Sequence, residues 1–212
     1  MFLDKTKWLR SFMLFVTGFF LMAATPFHAS FAKKRFYMEE GSRLYLKGSS
    51  NVNTFTCDCE DRFGAQTIET ERKHGYVKFR NVELLLKTKK FDCKNRKIDT
   101  DLQKALRADQ YPNIKVALLE TKQNEKCLNG DCVGWFDVQA KANITITKTT
   151  KEVTIPAKAK KLGPNKLQLI GQKDLYMSSF GVDPPEAMFG MIKVNDLITF
   201  HFDLIITVDE VQ

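Results

Sequence analysis

The sequence predicts an all-β fold, an antiparallel barrel or sandwich carrying one short α-helix. Three observations predict it. Near the C-terminus, Ile198, Phe200, Phe202, Leu204, Ile206 and Val208 alternate with Thr199, His201, Asp203 and Thr207, with one apolar exception at Ile205. Period two over this length is a half-buried strand with its apolar side inward. Similar runs recur between turn signals through most of the chain, and only one stretch has helical spacing. No strand–helix–strand rhythm of a parallel sheet is present.

The first residues read as an export signal. Lys5, Lys7 and Arg10 precede the apolar run Ser11 to Ala24, and Ser30-Phe31-Ala32 places small residues where cleavage before Lys33 would occur. That run is short for a membrane span of roughly 20 residues. The division predicted is therefore residues 1–32 as signal peptide and residues 33–212 as one domain, in the periplasm or outside the cell. Removing the signal takes away three positive charges and one negative, moving the net charge from +8 to +6. A basic surface favours anionic membranes or acidic glycans. The cations are scattered and not interleaved with aromatics, which argues against nucleic acid.

In chain order, residues 36–47 hold two short strands around a Glu-Glu-Gly turn, and Gly48 to Asn51 is turn chemistry. Val52 to Cys57 is β-rich. Arg72 to Gly75 turns the chain into Tyr76–Arg80. Asn81 to Lys87 is a strand with Val82, Leu84 and Leu86 on one face, and Lys87 to Arg96 reads as a loop. The helix follows, capped by Asp99 or Thr100, with Leu102, Ala105 and Leu106 as its apolar stripe. It ends near Asp109, before Tyr111-Pro112. Ile114, Val116 and Leu118 alternate. Phe136, Val138, Ala140, Ala142, Ile144 and Ile146 share a face, and Val153, Ile155, Ala157 and Ala159 continue it beyond a polar link at Lys148–Lys151. Lys166 to Met177 is a further strand, with Gly171 as a candidate bulge.

Ala140, Ala142, Ala157 and Ala159 carry information. Facing alanines cannot fill a wide barrel. Either the barrel narrows there, or it encloses a cavity whose Ala, Val, Ile, Leu and Phe walls suit a long apolar ligand.

All five cysteines lie beyond the signal, where disulfides form. Cys127 and Cys132 bracket Asn129-Gly130, a strong turn signal, and read as a pair. Cys93 is expected to bridge to Cys57 or to Cys59, which share a strand face. Cys57, Cys59 and Cys93 could instead offer three thiolates to a metal, but no His lies close by in sequence, and no metal is expected. For catalysis, His74 sits in a turn and His201 on a polar strand face. No Gly-x-Ser-x-Gly, HExxH, P-loop or dinucleotide fingerprint is present, so neither an enzyme nor a required cofactor is expected. Asn143-Ile144-Thr145 matches a glycosylation sequon.

Three segments in order carry a resemblance: LKGSSNVNTFTC (Leu46 to Cys57), IDTDLQKALRADQYPNIKV (Ile98 to Val116) and LYMSSFGVDPPEAMFGMIKVNDLITFHFDL (Leu175 to Leu204). Together they resemble the YceI-like family of secreted lipocalin-like proteins. The resemblance implies an eight-stranded antiparallel lipocalin-like barrel with one short α-helix, whose cavity holds a polyisoprenoid, a quinone tail or another long apolar chain. It implies a lining drawn from Phe55, Val82, Leu84, Leu86, Phe136, Val138, Ala140, Ala157, Leu169, Phe180, Met188, Phe189, Phe200 and Phe202. The family's His-Ser pair, where Ser49-Ser50 stand here, is absent, as is the Arg-Asp pair before the helix. The function expected is carriage or storage of such a lipid, with peripheral contact to anionic membrane. The rival is a secreted interaction module with a closed core and no lipid cargo. Monomer and homodimer both fit the sequence.

Overall fold

The computed structural model describes residues 31–211. The signal-peptide reading of residues 1–32 falls almost wholly outside them. Fourteen strand segments and two helices follow in order: β1 (Ala32–Met38), β2 (Arg43–Ser49), β3 (Thr54–Cys59), β4 (Gln66–Lys73), β5 (Tyr76–Arg80), β6 (Glu83–Lys87), β7 (Phe91–Asp92), α1 (Arg96–Ala105), β8 (Asn113–Gln123), α2 (Glu125–Leu128), β9 (Trp135–Ile146), β10 (Thr149–Lys161), β11 (Lys166–Tyr176), β12 (Glu186–Ala187), β13 (Ile192–Lys193) and β14 (Leu197–Glu210). Eight of the strands close an antiparallel ring in the order β1, β4, β5, β8, β9, β10, β11, β14 and back to β1. Ring closure leaves no open edge along the wall.

β14 organises the ring. One edge pairs with β11 continuously, from Lys166↔Thr207 to Tyr176↔Leu197. The other edge is shared: Thr199 to Asp203 pair with β2, and Ile206 to Glu210 pair with β1. Ile205 lies at the changeover. Its carbonyl accepts from Glu39 N–H at 2.7 Å, and its N–H donates to Ser42 Oγ at 3.0 Å, so the β1–β2 turn replaces the missing ladder bonds. This turn also accounts for the apolar exception on the outer face. A Cβ placed on Gly41 would stand 3.6 Å from Ile205 Cδ1, so the turn covers the isoleucine.

β2 carries a branch outside the ring. It pairs with β3, and β3 pairs with β7 through Asp58↔Asp92 and Cys59↔Phe91. The Cys57–Cys93 disulfide joins this branch to the entry of α1. The segment Lys87 to Arg96, expected as a loop, is a 3-10 turn (Thr88–Lys90) followed by β7. β5 and β6 both pair with β8, interrupted at Asn81, whose backbone is left-handed (φ 61°).

The helix starts one turn earlier than the sequence predicts. Asn95 is the cap, its Oδ1 accepting from Lys97 N–H at 3.0 Å and Ile98 N–H at 3.4 Å. Asp99, expected as the cap, lies in the first turn, where Oδ1 accepts from Cys93 N–H at 2.7 Å. Ile98, Leu102 and Ala105 pack against a buried cluster that includes Leu46, Cys57, Leu86, Phe91, Leu106, Ile144, Phe180 and Ile198. The helix thus closes one end of the barrel over a packed core.

No bulge occurs at Gly171. The β11 register runs unbroken on β14, and the register shift lies instead in β8, between Leu118 and Glu120. Gly171 serves a close approach: a Cβ there would stand 2.5 Å from Phe202 Cζ and 2.8 Å from Pro156 O. The inward alanines do not face one another. Ala140 pairs with Ile155, Ala142 with Val153, Ala157 with Val138 and Ala159 with Phe136. Small side chains therefore alternate diagonally with large ones across β9 and β10.

Candidate functional site: a hollow barrel with two cavities

The inward faces enclose a cavity of about 970 Å³. It runs inside the ring, walled by every ring strand and by β6. Val82, Leu84, Leu86, Phe136, Val138, Ala140, Ala157, Leu169, Phe200 and Phe202 all line it. The alternation that turns even-numbered β14 residues inward puts Leu204, Ile206 and Val208 in the same wall. Ala140, Ala142, Ala157 and Ala159 form one face of the chamber, so the small residues mark hollow space, not a narrowed core.

A second, smaller cavity of about 240 Å³ lies at the helix end. Phe55 and Phe180 line it, together with Ile98 and Leu102 of α1 and Leu106 just beyond its end. Ile114, Leu175 and Phe200 line both spaces. Phe200 thus stands between them, its ring edge-on to Phe91 at a centroid distance of 6.1 Å.

Phe180 reaches its place through a tight local device. In the 3-10 turn Ser178–Phe180, the backbone N–H of Ser178 donates to Asp196 Oδ1 at 2.7 Å, and its hydroxyl donates to Asp196 Oδ2. These bonds hold the Asp196 carboxyl below the usual carboxylate range. Thr147 Oγ1 donates to Phe180 O at 3.3 Å. The ring is buried to 1% exposure.

Met188 and Phe189 line neither cavity, which corrects their placement in the sequence-based lining. They form the tip of the β12–β13 hairpin, with left-handed backbone (φ 50° and 55°), and are 56% and 108% exposed. The hairpin stem, not its tip, borders the smaller cavity, through Glu186, Ala187 and Ile192.

Several lining residues escape a sequence reading. Phe36, Met38, Ile68, Val77 and Phe79 belong to strands of five to eight residues, too short for a period to stand out. Lys34, Arg72, Gln123, Asn129 and Lys161 belong to the polar part of the lining, with Glu83, Asp209 and Glu210 among its acidic members, and the lining also takes in Cys127 to Gly130 and Cys132 of the disulfide-closed loop. Lys34 pairs with Glu210, holding that carboxyl below its usual range by hydrogen bond first and charge second. Arg72 adds to the same effect.

Cys57 pairs with Cys93, and Cys127 with Cys132. Cys59 is the free thiol, and burial pushes its pKa up. His201 lies on the outer face, stacked on Tyr45 at 4.8 Å with planes 6° apart. Burial, then the Lys47 charge, lowers its pKa against the opposing pull of Asp174. Among the described residues, no group of three His, Cys, Asp or Glu side chains is placed to hold a metal ion.

The YceI-like domain model matches residues 28–206. A polyisoprenoid binding domain from Saccharophagus degradans, implicated in plant cell wall breakdown, superposes with a TM-score of 0.57 at 10% identity, covering 84% of this chain and 99% of that one. BcnA of Burkholderia cenocepacia superposes with a TM-score of 0.56 at 14% identity, over 78% of this chain and 96% of its own. At such identities these likenesses establish the fold. A comparison with the curated proteins finds no match. With a family match over most of the chain and a closed eight-strand ring of the same fold, this protein belongs to the YceI-like domain family.

Proposed function

We propose that this protein binds a long apolar lipid inside its barrel, and carries or stores it outside the cytoplasm. The cargo class is a polyisoprenoid, a quinone tail or an acyl chain. The observation that carries the reading is the cavity of about 970 Å³ with aliphatic and aromatic walls. That volume lies at the upper end of small-molecule sites, which run to about 1,000 Å³. The small diagonal residues of β9 and β10 leave room for a chain without opening the ring. The name of the Saccharophagus relative supports the polyisoprenoid class. The role is binding and not catalysis.

Two disulfides support an exported address, with residues 1–32 removed and residues 33–212 in the periplasm or outside the cell. The basic surplus supports peripheral contact with an anionic membrane. The rival interaction module requires a closed core, and the hollow interior speaks against it.

The test is native mass spectrometry and organic extraction of protein purified from its own host. A long-chain lipid bound one to one is expected. Protein free of any apolar adduct, and unable to take up an apolar fluorescent probe, would overturn the reading. N-terminal sequencing of the same preparation is expected to begin at Lys33.

A further inference from the structure

We infer that the tip of the β12–β13 hairpin, Met188 to Met191, is the element that docks this protein on an anionic lipid bilayer, beside the smaller cavity. The inference rests on the carrier reading for its purpose, since an insoluble cargo must be collected from a membrane or delivered to one.

The tip is apolar and bare. Met188, Phe189 and Met191 are 56%, 108% and 63% exposed, and Val52 on the neighbouring loop is 62% exposed. Large apolar side chains clustered on a surface mark an interaction site. Nothing in the fold calls for them here. Met188 and Phe189 have left-handed backbones (φ 50° and 55°), a conformation that suits Gly or Asn far better. The bulky side chains thus sit where the backbone disfavours them, and Phe189 buries nothing in return.

The tip is also held out firmly. Asn51 Nδ2 donates to Met191 O at 2.9 Å, and its Oδ1 accepts from Lys193 N–H at 2.9 Å. Asn51 N–H donates in turn to Lys193 O at 3.1 Å. The hairpin is therefore pinned to the loop that carries Val52, with the apolar side chains at its far end.

Shape and charge select the partner. A stable protein interface buries about 800 Å² per partner, far more than a four-residue tip presents. A bilayer needs no complementary surface, and the interfacial region accepts Phe and Met at a depth of about 5–10 Å. Cations flank the tip. Lys193 lies in the hairpin, paired with Glu186 at 3.1 Å, and Lys97 of α1, exposed like its neighbour Arg96, lines the smaller cavity that the hairpin stem borders. Lys97 has a weak partner in Asp101 at 3.6 Å. Basic side chains beside an apolar tip complement anionic head groups.

The position gives the contact a use. Glu186, Ala187 and Ile192 of the hairpin border the smaller cavity, which meets the large chamber at Phe200. A lipid leaving the bilayer at the tip enters the small space first and passes Phe200 to reach the chamber.

The experiment is flotation with phosphatidylglycerol–phosphatidylcholine vesicles and with phosphatidylcholine vesicles. It compares wild type, Phe189→Ser/Met191→Ser and the control Val133→Ser, a residue 100% exposed elsewhere. Wild type is expected to float with the anionic vesicles, and less so at high salt. The double variant is expected to bind at least about tenfold more weakly, and the control unchanged. Uptake of an apolar fluorescent probe in free solution is measured in parallel and is expected to be equal in all three, because no substituted residue lines a cavity. Failed uptake by wild type strikes the carrier reading. Equal vesicle binding by wild type and double variant, or none by wild type, strikes the tip. Wild type that sediments as a dimer, with the double variant a monomer, assigns the tip to a second copy and overturns the inference.

Discussion

Phe202 turns its ring into the space that Gly171 leaves free on the adjacent strand: the two are register partners, and a Cβ on Gly171 would stand 2.5 Å from Cζ of that ring. A Cβ there would also meet the Pro156 carbonyl oxygen at 2.8 Å. The ring can rotate into the chamber, but the backbone oxygen cannot. Gly171→Ala is therefore expected to lose about 1–3 kcal/mol of stability, the usual range for overpacking. Urea denaturation checks this as a lower midpoint at unchanged slope.

The alanine face of the chamber is where added volume falls on the cargo, not on the fold. Ala140 and Ala157 lie diagonally across β9 and β10 and both line the large cavity. Ala140→Phe and Ala157→Phe are each expected to weaken binding of an apolar probe at least about tenfold. The melting temperature is expected to stay within a few degrees, because the ring enters empty space. Fluorescence titration beside thermal melting separates the two effects. Unchanged binding in both variants would place the cargo elsewhere.

The two disulfides differ in what they constrain. Cys57–Cys93 closes a separation of 36 residues, and Cys127–Cys132 one of 5. Loop entropy gives about 4 kcal/mol for the first and about 2 kcal/mol for the second. Cys57→Ala/Cys93→Ala is expected to be the more destabilising pair in chemical denaturation. Cys127→Ala/Cys132→Ala is expected to leave the ring intact and loosen the adjoining end of the cavity, visible as faster amide exchange in residues 125–133.

His201 gives a pH signature with a definite sign. Burial and Lys47 lower its pKa in the folded state. On acidification from about pH 6.5, the ordinary imidazole value, the unfolded chain binds the proton first. Stability due to this group is therefore full above that pH and falls as pH drops toward the folded pKa. Denaturation midpoints at pH 7.5 and pH 5, compared between wild type and His201→Gln, are expected to show a smaller loss in the variant.

Strand β14 is legible in the sequence because it faces a hollow chamber on one side and solvent on the other, so its inward period holds from Ile198 to Val208, with Ile205 the one apolar exception outside. The Cys127–Cys132 pair was plain because its turn is local. Other features depend on partners far along the chain. The choice of Cys57 over Cys59 for Cys93 is set by the branch that β2, β3 and β7 make beside the ring. Register decides that Ala140 meets Ile155 and not another alanine. Asp99 suits a cap by residue type, but Asn95 has the extended backbone and the bonds, which depend on how the chain enters from β7. Met188 and Phe189 differ from expectation for a general reason: apolar character normally predicts burial, and at this hairpin tip it does not.

The pairing of β14 also sets the order in which the ring can form. Its residues contact β1, β2 and β11, and Lys34 meets Glu210 across 176 positions. Until Leu197 to Glu210 dock, three strands present bare edges and the ring cannot close. Closure is expected to be slow, because its decisive contacts are so remote in sequence. A folding intermediate with β14 undocked is the species expected to aggregate.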